Sequence, residues 1–279
     1  MIKKKDIALL ETNELALTGI PLKLFYYFDK VFLNFAKEFK AQEFYFPQYL
    51  PLEFLEKIDY LESFPHLAIF TSTIKKEELS KITRSEKISE KLTFTSNLLT
   101  SASCYHYFQY LEGKTLSSEV IGTTINRCFR NEDFNSEQRL SSFSMREIIF
   151  LGNKEFVEEI RMVLLKKTEV FAERLGLKFK IEQSQDPFFL PLAKGKHILQ
   201  RLHPYKYELR VENGSAEPLA ISSFNNHSDF FVNKLKIKLK VDNPASGCVA
   251  FGLERWVWSF LTTHGDSPGN WPKSVKLNL

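Results

Sequence analysis

Two apolar segments joined by a short polar loop constrain the fold of this chain more than any other feature. Residues 121–130 read IGTTINRCFR, residues 142–150 read SFSMREIIF, and NEDFNSEQRLS lies between them. Apolar, β-branched and aromatic residues dominate both segments, which is typical of strands. We therefore predict a hairpin of two long strands that belongs to a larger sheet.

The rest of the chain mixes helices and strands without a regular βαβ alternation. Apolar side chains recur at helical spacing over residues 20–40, and Asn153 precedes a long amphipathic stretch that ends near Gly176. Other expected elements are a strand in AQEFYFPQYLP stopped by Pro47, a short helix over 51–61, and a solvated helix or loop over the charged residues 75–91. Further strands are expected near 178–182, 205–211 and 218–224. The segment CVAFGLERWVWSFLTTHG is expected to form a strand, a glycine break and a helix that ends at Gly265. This order predicts an α+β fold with one large, mostly antiparallel sheet, in a single domain spanning residues 1–279.

Composition excludes few functions. The chain has 43% hydrophobic and 26% charged residues, and a net charge of +4 neither demands nor excludes a polyanionic partner. No signal-peptide pattern follows Met1, and no apolar run approaches the roughly 20 residues that span a bilayer. The three cysteines, Cys104, Cys128 and Cys248, are odd in number and widely spaced, which favours free thiols in a reducing compartment. We expect a cytoplasmic protein with no membrane partner.

The hairpin carries charged residues beside its apolar ones. Side chains two residues apart share a face of a strand, which groups Cys128, Arg130 and Glu132 on the first strand and Phe143, Met145 and Glu147 on the second. An arginine suits phosphate, an aromatic ring can stack on a flat base, and a carboxylate can accept a hydrogen bond from an amino group such as that of adenine. Taken alone, the pattern fits a salt-bridged surface hairpin better.

Two other segments change that balance. Phe-Arg-x-Glu, a loop and a phenylalanine resemble motif 2 of class II aminoacyl-tRNA synthetases, GLER at 252–255 resembles their motif 3, and the helix before FYFPQ resembles motif 1. Each motif is weak singly, but together, in this order, they are strong. The resemblance implies ATP binding, with Arg130 at the α-phosphate, Glu132 at the adenine amino group, Phe143 stacked on adenine, and Arg255 at the opposite face of the base or the γ-phosphate. Arg139 could add a phosphate contact.

Further stretches narrow the resemblance. DYLESFPHLAIFTS, CYHYFQYLEG, QDPFF, SFNNHSDFF and SGCVAFGLERW are similar to the amino acid:[carrier protein] ligases, truncated homologues of atypical, zinc-containing seryl-type synthetases. The resemblance covers residues from about 19 to 272. It implies that a small amino acid is activated by ATP and Mg²⁺ as an aminoacyl adenylate. The acyl group then passes to the phosphopantetheine thiol of an acidic acyl or peptidyl carrier protein. The resemblance also implies a homodimer formed through motif 1 and, with no tRNA-binding arm expected, no tRNA partner.

The same resemblance implies a Zn²⁺ ion held by Cys104, Glu147 and Cys248. Thiolate and carboxylate are ordinary zinc ligands, and three protein ligands leave a fourth position for the substrate amine. Without the resemblance, all three cysteines would be interpreted as buried free thiols. Cys128 keeps that interpretation, although its position makes it a rival ligand. His106, in Cys-x-His, could also chelate in principle.

Two expectations concern the middle of the chain. Asp186 in QDPFF could lie near the amino-acid pocket or simply form an Asp-Pro turn, and the two interpretations are evenly balanced. A small helical insertion at about 192–206, with Lys194, Lys196, Arg201 and Lys206, could dock the carrier protein or be an ordinary solvated helix.

Two other hypotheses for function stay open. The chain could charge tRNA or another small acceptor through an adenylate. It could also be a non-catalytic regulatory paralogue, for which loss of the ATP arginines would be the expected sign.

Overall fold

The computed structural model describes residues 6–82, 87–132, 139–184, 205–214, 217–275 and 277. Seven α-helices are formed by the described residues: α1 (Gly19–Glu38), α2 (Leu52–Lys57), α3 (Tyr60–Ser63), α4 (Cys104–Leu111), α5 (Lys154–Arg174), α6 (Phe230–Lys234) and α7 (Leu253–His264). Fourteen strands accompany them: β1 (Ile7–Leu9), β2 (Leu15–Leu17), β3 (Gln42–Phe44), β4 (Tyr49–Pro51), β5 (Phe70–Ile74), β6 (Leu92–Leu99), β7 (Thr115–Leu116), β8 (Val120–Phe129), β9 (Ser142–Asn153), β10 (Phe179–Gln183), β11 (Lys206–Val211), β12 (Leu219–Ser228), β13 (Lys238–Leu239) and β14 (Pro244–Gly252).

A seven-stranded sheet organises the molecule, in the order β10-β11-β12-β14-β9-β8-β3. Every neighbouring pair in it is antiparallel except β3 and β8, which are parallel. The helices flank this sheet, so the predicted α+β architecture with a mostly antiparallel sheet is confirmed.

The central hairpin of β8 and β9 has the register that the sequence pattern requires. Cys128 lies opposite Phe143, and Thr124 lies opposite Glu147. Directly opposed residues of an antiparallel pair point to the same face of the sheet. The two sets of side chains, which the sequence grouped only within each strand, therefore share one face.

One face of the sheet is covered by α1, α5 and α7. The apolar stripe of α1 buries Leu24, Phe28 and Phe32, and the Phe32 ring stacks on Phe251 of β14 with 3.9 Å between centroids. Asn153 caps α5 as predicted, since its side chain accepts a hydrogen bond from the Phe156 amide at 2.8 Å. This aromatic layer leaves the opposite face free to carry polar groups.

The opposite face is only partly covered, by α2, α3, α4 and α6. Phe108 of α4 stacks on Phe231 of α6 at 4.0 Å between centroids, and both belong to a second, smaller apolar cluster. Chemistry-bearing side chains from β8, β9, β12 and β14 lie on this face, between the helices.

Some local predictions hold and others need correction. The strand expected before Pro47 is β3, which joins the large sheet, but a further strand that was not expected, β4, lies beyond Pro47 and pairs with β6 in a separate three-stranded sheet. The short helix over 51–61 is divided into α2 and α3 at Asp59, which has a left-handed backbone conformation (φ 51°). The charged segment, expected to be a solvated helix or loop, forms short 3-10 turns at Lys76–Lys81 and Ile88–Lys91 between β5 and β6, so this expectation needs no correction.

The predicted helical insertion at 192–206 falls outside the described residues except at its end. Lys206 there is the first residue of β11, paired with Glu208 at 3.1 Å, and is not on the edge of a surface helix. None of the described helices combines the length and the apolar content that crossing a membrane requires.

Candidate active site

Three elements bring Cys104, Glu147 and Cys248 together. Cys104 begins α4, Glu147 lies in the middle of β9, and Cys248 lies on β14, the strand next to β9. Their ligand atoms all lie within 4.8 Å of one another, and all three residues are buried. The structure therefore assembles, from distant parts of the sequence, the three residues implied by the family resemblance.

The donor set fits a zinc ion. Two sulfur atoms and a carboxylate are suitable zinc ligands, and Glu147 Oε2 is buried without a hydrogen-bond partner among the described residues. Glu147 Oε1, in contrast, accepts a hydrogen bond from the Ser103 amide at 2.7 Å. One oxygen is thus held in place while the other is left available.

The electrostatics of the centre follow from burial and crowding. Burial, with the nearby Cys248 thiol, raises the pKa of Glu147 to about 8. The hydrogen bond between the two thiols raises the pKa of Cys104 and lowers the pKa of Cys248, and His227 lowers that of Cys248 further. Three acidic groups packed this closely, away from water, are an arrangement that a bound cation would stabilise.

Two residues of β12 surround Cys248 and were not singled out as site residues from the sequence. Asn225 Nδ2 donates to Cys248 Sγ at 3.5 Å and lies 3.2 Å from Ser223 Oγ, while His227 Nε2 lies 3.6 Å from the same sulfur. Both residues lie in SFNNHSDFF, a segment used for the resemblance, but nothing in its pattern indicates which side chain would reach the sulfur.

Cys128 and His106 are both separate from this cluster. Cys128 packs with Met145 and Ala250, its sulfur lies 3.4 Å from Ser103 Oγ, and burial raises its pKa to about 12. His106 Nε2 lies 3.1 Å from the carbonyl oxygen of Tyr49, and its ring stacks on Phe46. The described geometry therefore gives Cys128 the role of a buried apolar thiol and His106 a packing role.

The predicted ATP residues also lie together. The Arg130 guanidinium carbon lies 5.0 Å from the centre of the Phe143 ring, and Arg130 Nε donates to the Ser101 carbonyl at 3.1 Å. Glu132 lies 3.8 Å from Arg130 and 3.4 Å from Arg139. Arginine, carboxylate and aromatic ring thus converge at the loop end of the hairpin.

Arg255 approaches the same region from the first turn of α7. Its Nη1 donates to the Ala220 carbonyl at 2.9 Å. Desolvation, and then the positive charge of Arg130, lower the pKa of Arg255 to about 10, so it remains charged at neutral pH. Two cations that repel each other across a partly desolvated space form a suitable binding site for a polyanion.

A charged row on β11 extends the site and was also missed. Glu208, which is buried, pairs with Lys206 at 3.1 Å and with Arg210 at 2.7 Å. Burial raises the pKa of Glu208, but the two cations outweigh it and the net shift is downward. The alternation Lys-x-Glu-x-Arg places all three on one face of a strand, and that signal could have identified them.

A cavity of about 730 Å³ joins the two groups of residues. Its lining includes Cys104, Glu147 and Cys248 together with Arg130 and Lys206. A volume of this size is typical of small-molecule sites. Asp186, the remaining candidate, lies outside the described residues.

The fold and this cavity define a class II aminoacyl-tRNA synthetase-like catalytic domain. Over 241 residues the chain is 30% identical to Amino acid--[acyl-carrier-protein] ligase 1 of Bradyrhizobium diazoefficiens, and the match covers 83% of this chain and 74% of that protein. The chain therefore belongs to the amino acid--[acyl-carrier-protein] ligase family, and the resemblance drawn from the sequence motifs is confirmed.

Two further relatives place the family among synthetases. The chain is 28% identical over 266 residues to Type-2 serine--tRNA ligase of Methanocaldococcus jannaschii, covering 88% of this chain and 51% of that protein. The fold is similar to that in a crystal structure of A. aeolicus tRNASec in complex with M. kandleri SerRS, with a TM-score of 0.83, 24% identity, and coverage of 96% of this chain and 56% of that one. The chain thus spans about half the length of these synthetases. No family model matches it.

Proposed function

We propose that this protein activates a small amino acid with ATP as an aminoacyl adenylate and transfers the aminoacyl group to the phosphopantetheine thiol of an acidic acyl or peptidyl carrier protein. One observation carries the proposal: a single cavity is lined both by Arg130 and by the Cys104, Glu147 and Cys248 cluster. A phosphate-binding arginine and a candidate amine-binding metal centre in one cavity suit a reaction between an amino acid carboxylate and ATP.

In the first step, the amino acid carboxylate oxygen attacks the α-phosphorus of ATP. The new oxygen–phosphorus bond forms as the bond to the β-phosphate bridging oxygen breaks, and pyrophosphate leaves. Arg130 would stabilise the negative charge that develops at the α-phosphate, and Mg²⁺ arriving with ATP would share that charge. Glu132 would accept from the adenine amino group, while Phe143 and Arg255 would enclose the base or the γ-phosphate.

Cys104, Glu147 and Cys248 would hold the zinc ion. Zinc would supply an open coordination position for the neutral amine of the substrate. Ser103, through its backbone amide, fixes the Glu147 carboxylate, and Asn225 hydrogen-bonds the Cys248 sulfur, so the ligand side chains are oriented before any substrate arrives.

In the second step, the carrier thiol sulfur attacks the carbonyl carbon of the adenylate. The carbon–sulfur bond forms, the bond to the phosphate oxygen breaks, AMP leaves, and the thiol proton passes to solvent. No side chain of this protein needs to become covalently modified. Catalysis then depends on positioning and electrostatic stabilisation.

The test is ATP–pyrophosphate exchange with a panel of amino acids, followed by mass spectrometry of a purified holo carrier protein after incubation with the enzyme and ATP. We expect exchange with one or a few small amino acids, and a mass increase on the carrier. Arg130→Ala should reduce the exchange rate by about 10²–10³-fold in a folded protein, because one transition-state donor is lost. Arg174→Ala, which removes an exposed arginine from the end of α5, is the matched control and should exchange normally.

A second acceptor is also tested because the chain is similar to serine--tRNA ligases as well. A parallel reaction contains tRNA in place of carrier protein. If pyrophosphate exchange occurs and the aminoacyl group is found on tRNA but not on the carrier protein, tRNA replaces the carrier protein as the proposed acceptor. Absence of exchange with every amino acid would favour the regulatory alternative. The carrier-docking role of the 192–206 segment stays a sequence prediction, as does a homodimer formed through α1.

A further inference from the structure

The turn between β1 and β2 contacts residues that lie far from it in the sequence. The hairpin of β1 and β2 is closed by Leu10–Glu14, where the Leu10 amide donates to the Glu14 carbonyl at 2.8 Å. At its base, Ile7 is buried in the main core, and Asp6 lies against Gly19 so closely that a Cβ there would come within 2.8 Å of Asp6 Oδ2. The base therefore anchors the hairpin, and the tip is left to make other contacts.

The tip contacts the chain where the loop after β8 returns into β9. Asn13 Nδ2 donates to the Arg139 carbonyl at 2.9 Å, and the Asn13 carbonyl accepts from the Ser141 amide at 3.2 Å. Asn13 adopts a left-handed backbone conformation, with φ 59°, which turns both groups towards the loop. Glu14 accepts a hydrogen bond from the Ser142 hydroxyl.

These contacts continue directly into the candidate ATP site. Ser141, held on one side by Asn13, accepts at its carbonyl from the Arg130 amide at 3.0 Å. The Ser142 hydroxyl, held by Glu14, also accepts from Arg127 Nε at 3.0 Å. The tip therefore braces the backbone at the loop end of the β8–β9 hairpin, from which Arg130 and Phe143 project.

We propose that Asn13 and Glu14 are positioning residues that hold the backbone of Arg130 and of Arg139–Ser142 in the geometry required to bind ATP. This inference rests on the proposed function, because it assigns ATP to the same end of the hairpin. The two residues act through the hairpin backbone and need not touch ATP.

Asn13→Gly separates positioning from backbone strain. Glycine adopts a positive φ without cost, so this change removes the side-chain hydrogen bond to Arg139 and leaves the turn conformation accessible. Asn243→Gly is the matched control, because Asn243 is also left-handed, with φ 47°, but precedes Pro244 at the opposite end of the sheet. Glu14→Gln tests the contact between Glu14 and the Ser142 hydroxyl, because it removes the negative charge opposite Ser142.

Three measurements are made on each variant. Calorimetric titration with Mg²⁺–ATP should give a Kd raised about 5-fold or more in Asn13→Gly, the effect of losing roughly one hydrogen bond. Hydrogen exchange should be faster over residues 139–142 in Asn13→Gly and unchanged there in Asn243→Gly. In ATP–pyrophosphate exchange, the KM for ATP should rise while the KM for the amino acid stays within about 2-fold, since a general loss of folding would not separate the two.

The outcomes distinguish this inference from the proposed function. Unchanged ATP affinity in Asn13→Gly, or an equal change in Asn243→Gly, overturns the positioning role. A wild-type protein that binds ATP but exchanges no pyrophosphate overturns the proposed function, and the binding and hydrogen-exchange data still decide the role of the turn. A wild-type protein that does not bind ATP overturns both.

Discussion

Removing a single sulfur from the candidate metal centre should remove the metal, and the chain provides its own control for this experiment. Cys248 and Cys128 are both buried thiols on neighbouring parts of the same sheet face. Only Cys248 belongs to the cluster whose ligand atoms lie within 4.8 Å of one another. We expect one zinc per chain in the wild type, a strong loss of zinc in Cys248→Ala, and full zinc in Cys128→Ala. Cys104→Ala should behave like Cys248→Ala.

The expected magnitude follows from the number of ligands. A four-coordinate zinc site in a small domain contributes about 10–16 kcal/mol, so one ligand of four is worth roughly 3 kcal/mol, or about 100-fold in affinity. We expect this free-energy loss to appear as weaker zinc binding, because Cys104 and Glu147 remain as a pair of ligands after the change. Cys128→Ala loses the packing of one sulfur atom against Met145 and Ala250 and the contact of that sulfur with Ser103 Oγ, together about 1 kcal/mol of stability.

The assay is competition between each purified variant and a zinc chelator of known affinity, with metal content measured by mass spectrometry. Circular dichroism confirms that the variants are folded. Equal zinc affinity in Cys248→Ala and in the wild type would refute the assignment of this cluster. A loss of zinc in Cys128→Ala as large as that in Cys248→Ala would show that the assigned set of ligands is wrong. Asn225→Ala, which removes the hydrogen bond to the Cys248 sulfur, should weaken zinc binding by about 10-fold, a smaller effect than ligand removal.

Two other changes test contacts next to the site. Glu254→Ala should destabilise the protein by about 1–3 kcal/mol in urea unfolding, because the buried Ser144 amide loses its acceptor. That amide donates to both Glu254 carboxylate oxygens, at 3.0 and 2.8 Å. Glu254→Gln keeps an acceptor and should lower the stability by less than half as much. Arg146→Met should lower the stability by about 2–4 kcal/mol, because Asp29 loses the partner that holds it through two hydrogen bonds of 2.7 and 3.0 Å. Adding Asp29→Leu should recover part of that loss in a double-mutant cycle. Equal costs for Glu254→Ala and Glu254→Gln, or additive costs for Arg146→Met and Asp29→Leu, would contradict these interpretations.

The parts of the site that the sequence predicts best are those governed by local periodicity. Strand alternation is a property of the backbone, so the grouping of Cys128 with Arg130 on one strand, and of Phe143 with Glu147 on the other, could be predicted from the sequence alone. The cap at Asn153 followed in the same way from local hydrogen-bonding rules. Neither prediction required knowledge of the partners across the sheet.

The metal centre has a different origin. Its three ligands are far apart in the chain and meet only because β14 pairs with β9 and α4 packs over both. Strand order is a long-range property that periodicity does not encode, so only the family resemblance could bring these residues together in advance. Asn225 and His227 were missed for the same reason, since β12 reaches Cys248 only through its pairing with β14.

Two details in the first half of the chain were missed. At Pro47 the chain leaves the large sheet and then enters the three-stranded sheet, and at Asp59 one helix ends and the next begins. Composition indicated a break at Pro47, but not that the residues after it join a second sheet. At Asp59, the left-handed backbone is accompanied by an ion pair with Lys234 at 2.7 Å, a contact between distant segments that no local rule predicts.

Arg146 and Glu147 show how one strand can connect the two faces of this protein. Because successive side chains alternate, Arg146 faces α1, where it pairs with Asp29 and with Glu43 at the edge strand β3, while Glu147 faces the candidate metal centre. A slip of one residue in β9 would bury each charge on the wrong face, and the cost of two unpaired buried charges makes that register strongly unfavourable. The ion pairs behind the sheet therefore do more than attach α1. They fix the register of β9, and with it the position of Glu147 relative to Cys248 on the adjacent strand.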